Sequence, residues 1–134
     1  MNPSELELQQ EQREVAKYYQ LGVAKLDENK HIEAIDLFTK SIDASKYILA
    51  LDSYMGRALC YMITKKYQEA IKDYTNPLFN INKNRFADIQ RFTNIGYAFY
   101  NLGNYKEAVL YYEKVLELDP FDNDAKLMLN KLKN

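Results

Sequence analysis

A Glu-Ala pair followed four residues later by an aromatic side chain occurs three times: Glu33-Ala34 with Phe38, Glu69-Ala70 with Tyr74, and Glu107-Ala108 with Tyr112. The alanines are 36 and 38 residues apart. Upstream of each pair an aromatic precedes a small residue by one helical turn, as Tyr18 and Gly22, Tyr54 and Ala58, Phe92 and Gly96. Segments 18–42, 54–78 and 92–116 therefore align with one another. A period of this length constrains the fold more than any other feature. Each copy is one supersecondary unit that cannot bury its apolar face alone, so the copies must stack.

Each copy reads as two helices. In the third, Phe92, Ile95, Gly96, Phe99 and Leu102 keep a helical period until Gly103-Asn104 interrupts it. Ala108, Val109, Tyr112, Val115 and Leu116 resume it, and Asp119-Pro120 stops it. Gly22, Ala58 and Gly96 stand on the first helix of each pair, and Ala34, Ala70 and Ala108 on the second. Small residues facing each other let two backbones approach, and the aromatics one turn away fill the space around the contact.

The pattern resembles the tetratricopeptide repeat, W-x₂-L-G-x₂-Y, then A-x₃-F, then P. The matches are Tyr18-Leu21-Gly22-Ala34-Phe38, Tyr54-Ala58-Tyr61-Ala70-Tyr74 and Phe92-Ile95-Gly96-Phe99-Ala108-Tyr112-Pro120. The copies depart from it at Lys25 in the Tyr slot, Arg57 in the Leu slot, and Lys46 and Asn82 in the Pro slot. The resemblance implies an all-α fold, a right-handed superhelical solenoid of three helix-turn-helix units plus a capping helix, about seven helices in all. The expected organisation is one domain over 1–134: an N-terminal helical extension at 1–14, repeats at 15–48, 51–84 and 89–122, and a capping helix at 123–134.

The segments outside the repeat are also informative. Ser4-Glu5-Leu6-Glu7 is a capping box, and nothing after it stops a helix before Glu28, which predicts a first helix of about 25 residues. Glu5, Glu7, Glu11 and Glu14 suit its positive end, and with only Leu6 and Leu8 apolar the extension reads as solvated or as a self-association element. At the other end Asp122 or Asn123 should cap a helix bearing Leu127, Leu129 and Leu132. Pro77 should end or kink the second helix of the middle repeat. The connector over 76–88, with Phe79, Ile81 and Phe86, either tucks its apolar residues inward or offers them to a partner.

Chemistry is poorly supplied. One Cys and one His in 134 residues make neither a disulfide nor a zinc site. His31 reads as turn packing and Cys60 as a buried thiol. Asp119, Asp122 and Asp124 lack the order of a calcium loop and read as a helix cap. No phosphate-binding glycine loop or nucleophile elbow is present. The expectation is no enzyme, no cofactor and no metal. With 18 basic against 19 acidic residues there is no footprint for nucleic acid, and no run of apolar residues suits a membrane. The cysteine usage and the polar start point to a reducing, cytoplasmic setting.

What the resemblance implies instead is a binding surface, the concave face lined by the first helix of each pair. Its expected residues are Tyr19 and Val23, then Asp52, Met55 and Leu59, then Gln90, Asn94, Tyr97 and Asn101. Leu26, Met62 and Tyr100 belong either to this face or to the core between adjacent repeats, and the capping helix could add Leu127 to the face. Such a surface suits a peptide or helix with apolar anchors, so the chain reads as an adaptor, scaffold or chaperone-like interaction module whose partner is another protein. The alternatives are self-association into a homo-oligomer through the groove or the first helix, or service as the interaction domain of a larger signalling or enzyme assembly. Co-chaperone repeats of this family clamp acidic C-terminal tails with Lys, Asn and Arg. Here those slots hold Tyr19, Val23, Gly56, Gln90 and Asn94, so tail clamping is not expected.

Overall fold

The computed structural model describes residues 2–81 and 83–134; Asn82, in the Pro slot of the second repeat, lies outside the described residues. Among the described residues the regular structure is entirely helical. It runs α1 (Glu5–Asp27), α2 (His31–Ala44), α3 (Leu51–Ile63), α4 (Tyr67–Tyr74), a short 3-10 helix (Pro77–Asn80), α5 (Arg85–Asn101), α6 (Tyr105–Leu118) and α7 (Asn123–Lys133). The expected seven helices are present. Residue contacts gather into two compact units, Met1–Lys66 and Tyr67–Asn134.

In the first unit, α1 begins at the expected capping box: the Glu7 N–H donates to Ser4 Oγ at 3.1 Å and the Ser4 N–H to Glu7 Oε2 at 2.9 Å. It spans 23 residues and stops at Asp27. The following turn places Asn29 at a φ of 61°, and the Lys30 N–H closes back on the Lys25 carbonyl at 2.9 Å. The same turn ends α3, with Lys65 at 62°, and, in the second unit, α5, with Gly103 at 80°. Three copies of one sequence pattern thus give three copies of one left-handed helix stop.

The core of this unit is built on Phe38, fully buried with Ala34 and Cys60 and flanked by Tyr19, Val23, Leu26 and Ile35. A Cβ added at Gly22 of α1 would lie 2.7 Å from the ring, and one at Gly56 of α3 would lie 2.6 Å from it. One side chain of α2 thus needs a glycine on each of two other helices. Beside it, Ser41 Oγ donates to the Val15 carbonyl at 2.8 Å and lies 2.7 Å from Ser53 Oγ, a buried hydroxyl pair that ties α1, α2 and α3 together. Arg57, in the Leu slot, reaches Thr39 Oγ1 at 3.1 Å and stands over the Tyr54 and Tyr61 rings.

The N-terminal extension is more than a solvated stub. Glu11 accepts the Tyr47 N–H at 2.8 Å and the Ile48 N–H at 2.6 Å, holding the α2–α3 loop against α1. Partial burial raises its pKa, but the Ile48 and Tyr47 N–H bonds, with Lys46 nearby, outweigh that, and the carboxyl lies below its ordinary value.

In the second unit, α4 stops at Tyr74 because Pro77 has no N–H to continue the ladder and Asn76 Oδ1 takes the Leu78 N–H at 3.0 Å. The Tyr74 carbonyl accepts Arg91 Nη1 of α5 at 2.6 Å. The Arg91 guanidinium lies 4.7 Å from the centroids of both Phe79 and Phe92 and pairs with Asp88 at 3.4 Å. The connector divides between its two expected roles. Phe79 is buried under Arg91, whereas Ile81 and Phe86 are 71% and 77% exposed. Asn84 caps α5, and Arg85 donates through Nε and Nη2 to the Leu118 carbonyl at the end of α6. The α5–α6–α7 core gathers Ala108, Tyr112, Val115, Ala125 and Leu129. Gly96 meets the Tyr112 ring as Gly22 meets Phe38, at 3.1 Å from a virtual Cβ. Asp122 caps α7 by accepting the Ala125 N–H at 2.8 Å.

Candidate functional site

In the first unit the structure brings Tyr19 and Asp52 to one cleft of about 190 Å³. Gln12, Val15, Ala16 and Tyr19 of α1 line it, together with Ile48, Leu49 and Ala50 of the α2–α3 loop and Asp52 and Ser53 at the start of α3. The Glu11 bonds to the loop and the buried Ser41–Ser53 pair fix the elements around it. Tyr19 is half-buried, its ring 5.9 Å from Phe38. Burial first, and then the Asp52 charge, raise its phenol above the usual value. Asp52 is exposed in the first turn of α3, where a carboxylate also suits the helix end.

Val23 is half-buried and, like Tyr19 and Leu26, packs against the Ala34–Phe38–Cys60 core, but it does not line this cleft. Met55 and Leu59 are half-buried on α3. Gln12, Val15, Ile48 and Leu49 were missed by the reading of the sequence, because they lie outside the aligned repeat segments or between their helices. The signal available was Val15, one helical heptad before Gly22 on an otherwise polar stretch.

In the second unit the α5 residues divide similarly. Gln90 and Asn101 are exposed, and Asn101 Nδ2 donates to the Tyr97 carbonyl at 2.8 Å. Asn94 Nδ2 is engaged by Tyr74 Oη at 3.0 Å. Tyr97, 46% exposed, stacks on Tyr100 at 6.4 Å, and Tyr100 in turn meets Tyr105 at 5.7 Å and carries Lys131 Nζ at 4.9 Å over its ring. This is an aromatic ladder with a cation at its side. Tyr112 beneath is pushed up to about 12 by burial, with Tyr97, Asp124 and Tyr100 adding to it. Leu127 is 67% exposed.

Nucleophilic chemistry finds no support in the one thiol: Cys60 is buried, and burial pushes it up to about 11, so it stays protonated at neutral pH. Among the described residues no three metal-ligating side chains are gathered, and no helix is long and apolar enough to cross a membrane.

Residues 51–76 and 90–122 match family models described as tetratricopeptide repeat. Heat shock protein STI1 of Saccharomyces cerevisiae is 34% identical over 119 residues, which is 87% of this chain and 19% of that protein. The chain thus spans about a fifth of the length of that relative. The first TPR of Spaghetti (RPAP3), solved bound to the HSP90 peptide SRMEEVD, superposes with a TM-score of 0.75 at 29% identity, covering 90% of this chain and 91% of that one. The second TPR domain of human RPAP3, in complex with the HSP70 peptide SGPTIEEVD, gives 0.76 at 27% identity, covering 92% and 98%. The all-helical fold expected from the repeat pattern is the fold of these solved domains, and the chain carries tetratricopeptide repeats at 51–76 and 90–122.

Proposed function

We propose that residues 1–134 work as one protein-interaction module without catalytic activity, an adaptor or chaperone-like domain that takes a peptide or helix by apolar anchors. The observation that carries this reading is the fixed apolar cleft at Tyr19 and Asp52. Met55 and Leu59 on α3 are further candidates in the first unit, and the Tyr97–Tyr100 ladder on α5 is a separate candidate in the second. Preformed, mainly apolar concavities with a few polar groups are the usual form of a binding site. The single buried thiol accords with a cytoplasmic setting.

The module differs in its chemistry from a clamp for acidic tails, although the solved RPAP3 neighbours hold acidic peptides. Tyr19 stands in a clamp slot and faces Asp52 rather than bringing a cation. Gly56, in another, has no room for the Asn of a clamp while Phe38 fills the space. Asn94, in a third, is engaged by Tyr74. A carboxylate bound among these groups would find no cation to pair with.

Two experiments test the reading. Pull-down from native lysate with the wild type beside Leu59→Asp/Tyr97→Asp, the variant first checked for folding by circular dichroism, should lose specific partners. Partners retained in full would remove Leu59 and Tyr97 from the binding set, and the same pull-down with Tyr19→Asp would then have to lose them for the cleft to stand. Fluorescence polarisation with a labelled SGPTIEEVD peptide should give no saturable binding; micromolar affinity would restore the clamp.

A further inference from the structure

We propose that the Tyr19–Asp52 cleft receives a lysine or arginine side chain, so that this surface selects basic segments of its partner. The inference rests on the reading of the chain as a peptide-binding module and adds the chemistry of the occupant.

The lining states the case. Val15, Ala16, Ile48, Leu49 and Ala50 supply apolar surface, and Asp52 is the one charged residue among the lining groups. A mainly apolar cleft with one carboxylate among its lining residues matches a side chain with a hydrocarbon stem and a cationic tip. The cleft's volume of about 190 Å³ suits one side chain rather than a helix. The start of α3 brings a helix-end charge of about +0.5, which a full carboxylate at Asp52 outweighs. Asp52 lines the cleft together with Tyr19, and its charge adds to burial in raising the Tyr19 phenol. The walls are set before a ligand arrives. Glu11 fixes the loop through the Tyr47 and Ile48 N–H groups, and the Ser41–Ser53 pair fixes α3 to α2. A preformed site spends little of its binding energy on ordering. An acidic side chain entering the same space meets a like charge at Asp52 and no cation among the lining residues, Lys46 of the loop lying on the Glu11 side.

The test uses three acetylated, amidated pentapeptides, Ala-Leu-Lys-Leu-Ala and its norleucine and glutamate counterparts at the central position, titrated into the labelled protein by NMR. The lysine peptide should shift the amide signals of Tyr19, Ile48, Leu49 and Asp52 and bind about tenfold more tightly than the norleucine peptide, with the glutamate peptide weakest. Asp52→Asn should remove that preference, and Asp52→Lys should reverse the order of the lysine and glutamate peptides. Both substitutions are at an exposed position, and the dispersion of the same spectra reports whether they fold. Equal binding of the lysine and norleucine peptides, or an order unchanged by Asp52→Lys, overturns the inference. If the pull-down variant still loses its partners while the charge order is absent, the occupant is wrong and the module reading stands. If no peptide shifts a cleft signal and the variant loses no partner, both fall.

Discussion

Arg91 Nη1 donates to the main-chain oxygen of Tyr74 at 2.6 Å, so a side chain of α5 completes the end of α4. Pro77 makes this necessary by breaking the helix before its last turn is paired. The guanidinium is almost wholly buried between Phe79 and Phe92. Arg91→Lys keeps the charge but loses the planar fit between the rings and the reach of the fork. The expected cost is about 2 kcal/mol, from a hydrogen bond to a charged donor and the stacking together. Urea denaturation measures it; a loss under about 0.5 kcal/mol, the range of an ordinary surface change, would reduce the contact to a minor one.

Gly56 lies inside α3, where replacing glycine by alanine normally stabilises a helix by about 1 kcal/mol. Here the added Cβ falls 2.6 Å from Phe38 Cζ, and overpacking costs about 1–3 kcal/mol. Gly56→Ala should therefore lower the melting temperature. In combination with Phe38→Leu the alanine should cost less than it does alone, a coupling that a double-mutant cycle reads directly.

Lys65 holds a left-handed backbone at a φ of 62°, in the turn that Gly103 makes at 80° after α5. A side chain in that region costs about 1 kcal/mol over glycine. Lys65→Gly should raise stability by about that amount, against the usual effect of adding a glycine. Thermal melting checks the sign.

Glu11 gives the fold a dependence on acid. Its folded pKa lies below the ordinary 4.5: burial pushes upward, and the Ile48 and Tyr47 N–H bonds prevail. A carboxyl depressed in the folded state contributes stability above its unfolded pKa and loses it as pH falls through the folded one. Between about pH 7 and pH 3 the wild type should lose melting temperature more steeply than Glu11→Gln. Parallel slopes would remove Glu11 from the account.

The repeat made much of this legible. Gly22 opposite Phe38 and Gly96 opposite Tyr112 follow from the aligned small and aromatic positions, and the capping box at Ser4 and the break at Pro77 follow from local chemistry. What stayed hidden is what periodicity does not encode. Glu11 meets its partners 36 and 37 residues on, and Arg91 meets Tyr74 across 17. The candidate site suffered for the same reason. Tyr19 and Asp52 are on repeat helices and could be named, but Val23 lies outside the cleft, and four of the cleft's nine lining residues come from the N-terminal extension and the α2–α3 loop. Counting slots locates the helix face; it does not say which of its side chains the neighbouring loop will cover.

Phe38 couples positions that are far apart in the sequence. Because its ring occupies the space beside both Gly22 and Gly56, three positions on three helices form a single unit of sequence change. A smaller residue at 38 would free room beside 22 and 56 together, so what either glycine position tolerates is decided on a third helix, by a side chain in the interior.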